Sequence, residues 1–556
     1  MKFSAALVLI VSVLSILFGV LGYPVIGHDA YVQLNWLDQF TKLCAEGIAY
    51  PRWLSDSFGG FGSPTFYFYA PLVYWIASIF HLLGINSPSA LYQVVEILFS
   101  FLSVFTSYQL IRQFHAAKWS ALIGTLVYSF LAYHFCDVYI RDALTEHAAL
   151  AFLPIVFLRF PDRFRSIAVY GLGWTGLFLT NLPMAYLAVI SVAIVLLARR
   201  SFNEIFLHII SFVIAIAVSA IYLFPAFALR GLIHQRHLFD LPMRTSQFGF
   251  ALLDLFQGHF DWLRMLSIAT ILGGLLCFVI LIRNSNKETR AWKWLIAVAI
   301  FFQIPFISVP LWHLLPGMPF VQFSWRWNGV LLLAIAIVCS GAVPAPSQIG
   351  SVSAVLAKGE GTAPLRNCIF IGLAIVTLLC EFTISRNLFT RPPLPINAFR
   401  MDAPEYATKW ASNDPAEVIG ITLRRMSDAP AVLLGLTMPG DSITLKSKSP
   451  IESHFIVHLT RVTPVRFHQF YWPYWKAYSD TTELAMAPDP NGFATALLPA
   501  GNSTISLKLA RSPIEEIGSH VSLIGLIVLF VLCLLAVYRA ITMRREILLP
   551  PELTRT

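Results

Sequence analysis

The run Val521-Ser522-Leu523-Ile524-Gly525-Leu526-Ile527-Val528-Leu529-Phe530-Val531-Leu532-Cys533-Leu534-Leu535-Ala536-Val537 contains no charged residue. With its flanks it forms a stretch, 520–539, that would rise about 30 Å as a helix, the thickness of a bilayer's hydrocarbon core. Comparable runs recur throughout the chain. The first covers Met1 to Gly22, and others lie near 88–111, 119–136, 145–160, 167–181, 183–198, 203–224, 265–283, 291–309, 328–345 and 368–385. The sequence thus predicts a polytopic α-helical membrane protein with about twelve transmembrane helices.

Composition leads to the same place. Of 556 residues, 57% are hydrophobic and only 12% charged, about half the charged share of a soluble chain. A soluble chain of this length would divide into three or four domains, but this one lacks the polar side chains to coat them. The net charge of +9 is spread thinly, and no Lys/Arg-rich tract is present, so no nucleic-acid partner is expected. None of the seven cysteines forms a Cys-x-x-Cys pair, and neither a disulfide framework nor a zinc site is implied. No small-x-small cleavage site precedes Tyr23-Pro24, so the first segment reads as a retained helix.

Basic residues set the orientation, because Lys and Arg accumulate on the cytoplasmic side. Alternate connections and the termini carry eighteen, among them Arg159, Arg163, Arg165, Arg283, Lys287, Arg290, Arg544 and Arg545; the short loops on the other side carry eight. Both termini are then cytoplasmic. The stretch 66–84 is apolar but aromatic-rich and interrupted by Pro71. It reads as a helix lying in the outer interface rather than crossing. The predicted organisation is a transmembrane domain over 1–385 with an outer loop at 23–87, an extracytoplasmic domain over 386–518, and a last helix with a cytoplasmic tail over 519–556. The outer domain shows short alternating runs such as His454–Thr460 and Ser503–Leu509 between turn residues, the pattern of a β-sandwich.

Chemistry-bearing residues gather in the outer loops. Asp29, in Gly27-His28-Asp29, sits just beyond the first span, where a carboxylate can take a proton from an acceptor hydroxyl. Equally, an Asp ahead of a helical pattern is what an N-cap looks like. Asp137, Arg141 and Glu146 lie together at the outer end of a span. There they either hold a phosphate, through the fork of Arg141, or form a structural ion pair. Arg326, between Trp325 and Trp327, is either a second phosphate contact or a snorkelling anchor in an aromatic belt. His234 with His237, and His259 with Asp261, lack further ligands and read as solvated loop residues. The aromatics of Phe470-Tyr471-Trp472-Pro473-Tyr474-Trp475 read as core in preference to a sugar platform. Glu96 and Glu381 are carboxylates within predicted spans.

Several motifs are similar to those of a known family. Gly27-His28-Asp29, Tyr50-Pro51-Arg52-Trp53, Gly60-Phe61-Gly62-Ser63-Pro64 and Phe68-Tyr69-Ala70-Pro71-Leu72 resemble the bacterial membrane proteins labelled "6-pyruvoyl-tetrahydropterin synthase-related", whose architecture is that of GT-C glycosyltransferases. The resemblance continues at Asp137-Val138-Tyr139-Ile140-Arg141-Asp142-Ala143-Leu144-Thr145-Glu146 and at Val321-Gln322-Phe323-Ser324-Trp325-Arg326-Trp327. Two positions depart from the family pattern. Asp142 replaces a Gly, which predicts an altered loop backbone, and Asn181 stands where related proteins often carry His.

The resemblance implies a glycosyltransferase of the bacterial inner membrane. It would move a sugar from a polyprenyl-phosphate donor to a glycan, lipid or protein acceptor of the envelope. Asp29 would be the base. Arg141, Arg326 and Arg52 would bind the donor phosphate, while His28, Asp137 and Glu146 would shape the site. A divalent cation, Mg or Mn, is compatible with the family. The competing expectation is a transporter or flippase of a lipid-linked saccharide. It predicts ionisable residues within spans and broken helices in related halves.

Overall fold

The computed structural model describes residues 2–21, 27, 29–114, 117–234, 262–282, 286–341, 363–388, 402–412, 431–434 and 438–548. It is mostly helical, with a β-sheet unit near the C-terminus. Helix occupies most of the described length of each of the twelve predicted runs. Six of these helices are long and apolar enough to cross a membrane: Pro88–Gln113, Lys118–Tyr139, Leu182–Arg199, Trp262–Leu281, Pro364–Thr383 and Pro513–Thr542. A seventh candidate is the pair Phe202–Val218 and Ala220–Ala228, bent by 77°. The stretch read as interfacial contains the helix Leu72–Leu82, whose eleven residues span about 16 Å, too short to cross alone.

Local sequence explains many of the helix starts. Asp162, Asn181 and Asn286 each accept a hydrogen bond from the backbone N–H three residues on, at 2.7–3.0 Å, satisfying one orphan donor of the first turn. Asn181 thus serves as a helix cap here. Ser512 and Glu515 form a reciprocal capping box ahead of the last helix, Pro513–Leu548.

Burial separates the helices. Every residue of Trp327–Cys339 is buried, so this helix, apolar all round, is the centre of the bundle. The last helix is its opposite: Leu523, Ile524, Leu526, Ile527, Phe530 and Leu534 are all exposed. Its inner face carries Gly518 and Gly525, where a Cβ would meet Ala220 O and the Val218 N at 2.6 Å. Between them Ser522 accepts from the Ile221 N–H at 2.7 Å and donates to the Val218 carbonyl at 2.8 Å. The backbone groups around the bend at Ser219 are thereby met from another helix, as an interrupted helix requires.

The β unit consists of two antiparallel sheets. β1 (Ala431–Leu433), β4 (Thr463–Phe470), β8 (Phe493–Leu498) and β7 (Met486–Pro488) form one, in the order β1-β4-β8-β7. β2 (Ser442–Ser449), β3 (Glu452–Leu459), β9 (Gly501–Leu509), β5 (Trp475–Ser479) and β6 (Thr482–Leu484) form the other, in the order β2-β3-β9-β5-β6. Alternate residues point inward: Phe455, Val457 and Leu459 of β3 are buried, as are Val465 and Phe467 of β4. Phe455 and Phe467 meet between the sheets with ring centroids 5.6 Å apart.

This unit shares a core with the first outer loop. Trp53 packs on Trp472 and Trp475 at 6.4 and 5.8 Å, and the Phe470 N–H donates to the Phe61 carbonyl at 2.7 Å. Phe470, Trp472 and Trp475 are buried as the core reading requires. Segments 389–401 and 413–430 of the expected outer domain lie outside the described residues.

Candidate functional site

Two loops meet at Asp29. The Asp29 N–H donates to the Arg141 carbonyl at 2.8 Å, and the Gly27 N–H donates to the Asp142 carboxylate. A Cβ on Gly27 would lie 2.6 Å from the Ile140 carbonyl oxygen, so only glycine allows this approach. Asp142 takes φ 55°, the left-handed region that Gly favours and Asp tolerates. Asp keeps the glycine-like conformation and adds an acceptor for Gly27.

Asp29 stands at the head of the helix Ala30–Ala45 but makes no side-chain capping hydrogen bond. Asp29 thus holds the N-cap position that the alternative reading expected, without the side-chain bond of a full cap. His28 lies outside the described residues.

Arg141 is the hub of a buried charge network. Its Nη1 is 2.5 Å from Asp137 Oδ1 and 3.1 Å from Glu146 Oε2. Arg326 Nε reaches the same Glu146 oxygen at 2.9 Å, and the Tyr133 hydroxyl donates to Glu146 Oε1 at 2.5 Å. Arg326 Nη1 also donates to the Val321 carbonyl at 2.7 Å. Arg326 is buried and ion-paired, which excludes the snorkelling-anchor reading. Burial works against the Arg141 charge, but Glu146, Tyr133, Asp137 and Asp29 more than offset it, holding its proton affinity well above the ordinary value. Both the ion pair and the gathering of two guanidinium groups expected from sequence are present, in one cluster.

Tyr69 ties the first loop to the helix that carries Glu146. The Tyr69 hydroxyl lies 2.9 Å from Thr145 Oγ1 and accepts from Gln33 at 3.1 Å. The Tyr69 ring packs edge-on against Trp36 at 4.5 Å.

Arg52 is not part of this cluster. Its Nε pairs with Glu515 Oε1 at 2.8 Å, its Nη2 donates to the Ile221 carbonyl at 2.8 Å, and its guanidinium sits 4.0 Å from the Tyr50 ring centroid. Both charged partners are buried. Here an arginine ties the first loop to the last helix.

His234 is likewise not a solvated residue. It is buried, with Nε2 3.0 Å from the Ala411 carbonyl oxygen; His237, His259 and Asp261 lie outside the described residues.

The sequence reading missed Asp402 and Glu405. Asp402 accepts from Trp36 Nε1 at 2.7 Å and from Thr65 Oγ1 at 3.3 Å, which docks segment 402–412 onto the first loop. Burial raises the Asp402 carboxyl's affinity for its proton. Burial also pushes Glu405 up to about 7; its own backbone N–H opposes this, while the charges of Asp402 and Asp29 add to it. The Asp402-Ala403-Pro404-Glu405 string, acidic and Pro-marked just before the β unit, was the available signal.

Among the described residues, no three His, Cys, Asp or Glu side chains form a metal-binding group. Glu146 and Asp137 Oδ1 are engaged by guanidinium groups. No described residue is assigned to the divalent cation that the resemblance allows.

No model of a known protein family matches the chain, and no curated protein matches it.

Proposed function

We propose that the protein is an integral membrane glycosyltransferase of GT-C type. It would cross the bacterial inner membrane about twelve times with both termini cytoplasmic. On the outer face it transfers a sugar from a polyprenyl-phosphate donor to an envelope acceptor. The observation that carries this reading is the backbone hydrogen bond from Asp29 to Arg141, which holds a partly buried carboxylate at a helix head beside the paired guanidinium groups.

In the proposed reaction Asp29 accepts the acceptor hydroxyl's proton as that oxygen bonds to the anomeric carbon. The bond from that carbon to the phosphate oxygen breaks, and Arg141 and Arg326 stabilise the departing phosphate's charge. The exposed apolar flank of the last helix supports membrane insertion, since water would leave that surface uncompensated.

Asp29→Asn tests the reading. The purified variant should melt within about 1 kcal/mol of the parent, while transfer from a polyprenyl-phosphate sugar falls by roughly 10²–10⁴. Near-normal transfer by stable variant protein would remove Asp29 from the reaction.

One set of observations favours the transport alternative. Glu96, Glu381, His134 and His147 are buried within helices, and one candidate span is bent at Ser219, both features of carriers. Movement of a labelled lipid-linked saccharide across proteoliposomes, with no new glycoside formed, would select it.

A further inference from the structure

A cavity in the side of the bundle adjoins the Arg141 network without belonging to it. Ile97 and the exposed Phe101 stand at its edge. Its polar lining comes from Glu96, His134, His147, Tyr139, Ser15 and Ser129. Such a gathering of ionisable groups between apolar helices is costly unless they serve one another or a guest.

Their hydrogen bonds are incomplete. His134 is 1% exposed, yet among the described residues neither ring nitrogen has a hydrogen-bond partner. His147 Nε2 lies 3.1 Å from the Ser100 hydroxyl, while its Nδ1 has no such partner. The two rings stand edge-on, 5.5 Å between centroids. The Tyr139 hydroxyl shares its single proton between the Ser15 carbonyl at 2.6 Å and Glu96 Oε1 at 3.1 Å, and the Ser15 hydroxyl donates to Glu381 Oε1 at 2.6 Å. Glu381 Oε2, also buried, has no partner among the described residues.

Size decides what fits. The cavity leaves about 20 Å³ of room for water, above the roughly 10–15 Å³ that one molecule needs and far below the space for a sugar or a lipid chain. A neutral imidazole offers one donor and one acceptor, and water can serve both kinds at once.

We propose that this cavity is a hydrated proton-exchange site, in which one water molecule links Glu96 to His134 and His147. The Glu96 carboxylic acid gives its proton to the water as the water gives one of its own to a ring nitrogen. An O–H bond breaks, an N–H bond forms, and carboxylate and imidazolium remain until the reverse step. The titratable groups nearest the exchange are Tyr139 and Asp137 on the His134 helix, Glu146 beside His147 on the next, Tyr92 on the Glu96 helix, and Glu381, reached through Ser15. The helix Tyr133–Tyr139 presents Tyr133 and Asp137 to Arg141 and His134 to the cavity. A proton held here therefore changes the charge felt by the neighbouring network.

The test uses the full chain in lipid nanodiscs with isotope-labelled histidine and needs no substrate. Its outcome is thus independent of the group handled at Asp29. Ring N–H protons of His134 and His147, assigned by single substitution to Gln, should exchange with water. Glu96→Gln, which keeps the shape and removes the acid, should slow that exchange by at least about tenfold, a floor below the roughly 10²–10⁴-fold that general acid–base catalysis supplies. Rings that do not exchange with water, or exchange that Glu96→Gln leaves unchanged, overturn the proposal. If Glu96→Gln folds poorly, Tyr139→Phe takes its place. Removing the hydroxyl that donates to Glu96 must alter both rings' exchange, and unaltered rates overturn the proposal equally.

Discussion

Asp29 and Arg141 are joined through their backbones, the N–H of one donating to the carbonyl of the other at 2.8 Å, although 112 positions separate them in the chain. The carboxylate and the guanidinium are consequently held on one scaffold, and the geometry between them depends on the contact of two loops. Anything that parts those loops should disturb both residues together.

Gly27→Ala should do so. The added methyl carbon would sit 2.6 Å from the Ile140 oxygen, so the loops must separate, at a cost of about 1–3 kcal/mol by analogy with overpacked cores. Thermal unfolding in detergent reads the stability loss. An unchanged melting temperature would mean that the loops yield without resistance.

Arg141→Lys tests the fork rather than the charge. Both carboxylates meet the one nitrogen Nη1, so a lysine ammonium can keep these pairs but offers a donor phosphate no planar fork; donor affinity should fall while stability changes little. Glu146→Gln should be more damaging, because two buried guanidinium groups lose their shared counter-ion, a loss of about 3–5 kcal/mol. A double-mutant cycle with Arg326→Gln measures the coupling; zero coupling would mean that the contact contributes nothing.

Glu405 predicts a pH dependence. Its folded value of about 7 exceeds the ordinary 4.5, so between these values the native state binds more protons than the unfolded chain. Stability should fall as pH rises through that window, by up to about 3 kcal/mol. Glu405→Gln should flatten the curve of melting temperature between about pH 4 and pH 8. A variant whose curve retains the parent's slope would assign the slope elsewhere.

Topology is open to chemical labelling in a background without native cysteines. Cysteines at the exposed positions Glu46 and Lys446 should react from one side of the membrane, and one at the exposed Lys287 from the other. Labelling of Glu46 and Lys446 from opposite faces would contradict the shared core of the first loop and the β unit.

The sequence made some of this legible and hid the rest for a physical reason. Apolar length located the helices, and period-two alternation located β3, β4, β8 and β9. The cluster of Asp137, Arg141 and Glu146 was visible because its members lie within one loop. Arg326 and Glu146 are 180 positions apart, and nothing local marks that they share a hydrogen bond. Arg52 was read as a phosphate ligand because its partner Glu515 lies at the start of the last helix, and no local pattern records such a distant pairing. Asp402 and Glu405 were missed because an acidic Pro-marked segment reads as a turn until Trp36 and Thr65 are seen to hold it.

The last helix holds two things that the rest of the chain leaves open. Ser522 meets the backbone groups at the bend beside Ser219, and Glu515 neutralises the buried Arg52. A ribosome makes this helix after everything it completes. Until residues 513–525 emerge, the Ile221 N–H and the Arg52 charge must wait for partners, and the early part of the molecule stays provisional. Chains interrupted before this helix should then be preferred targets of membrane quality control, even with every residue around Asp29 and Arg141 already in place.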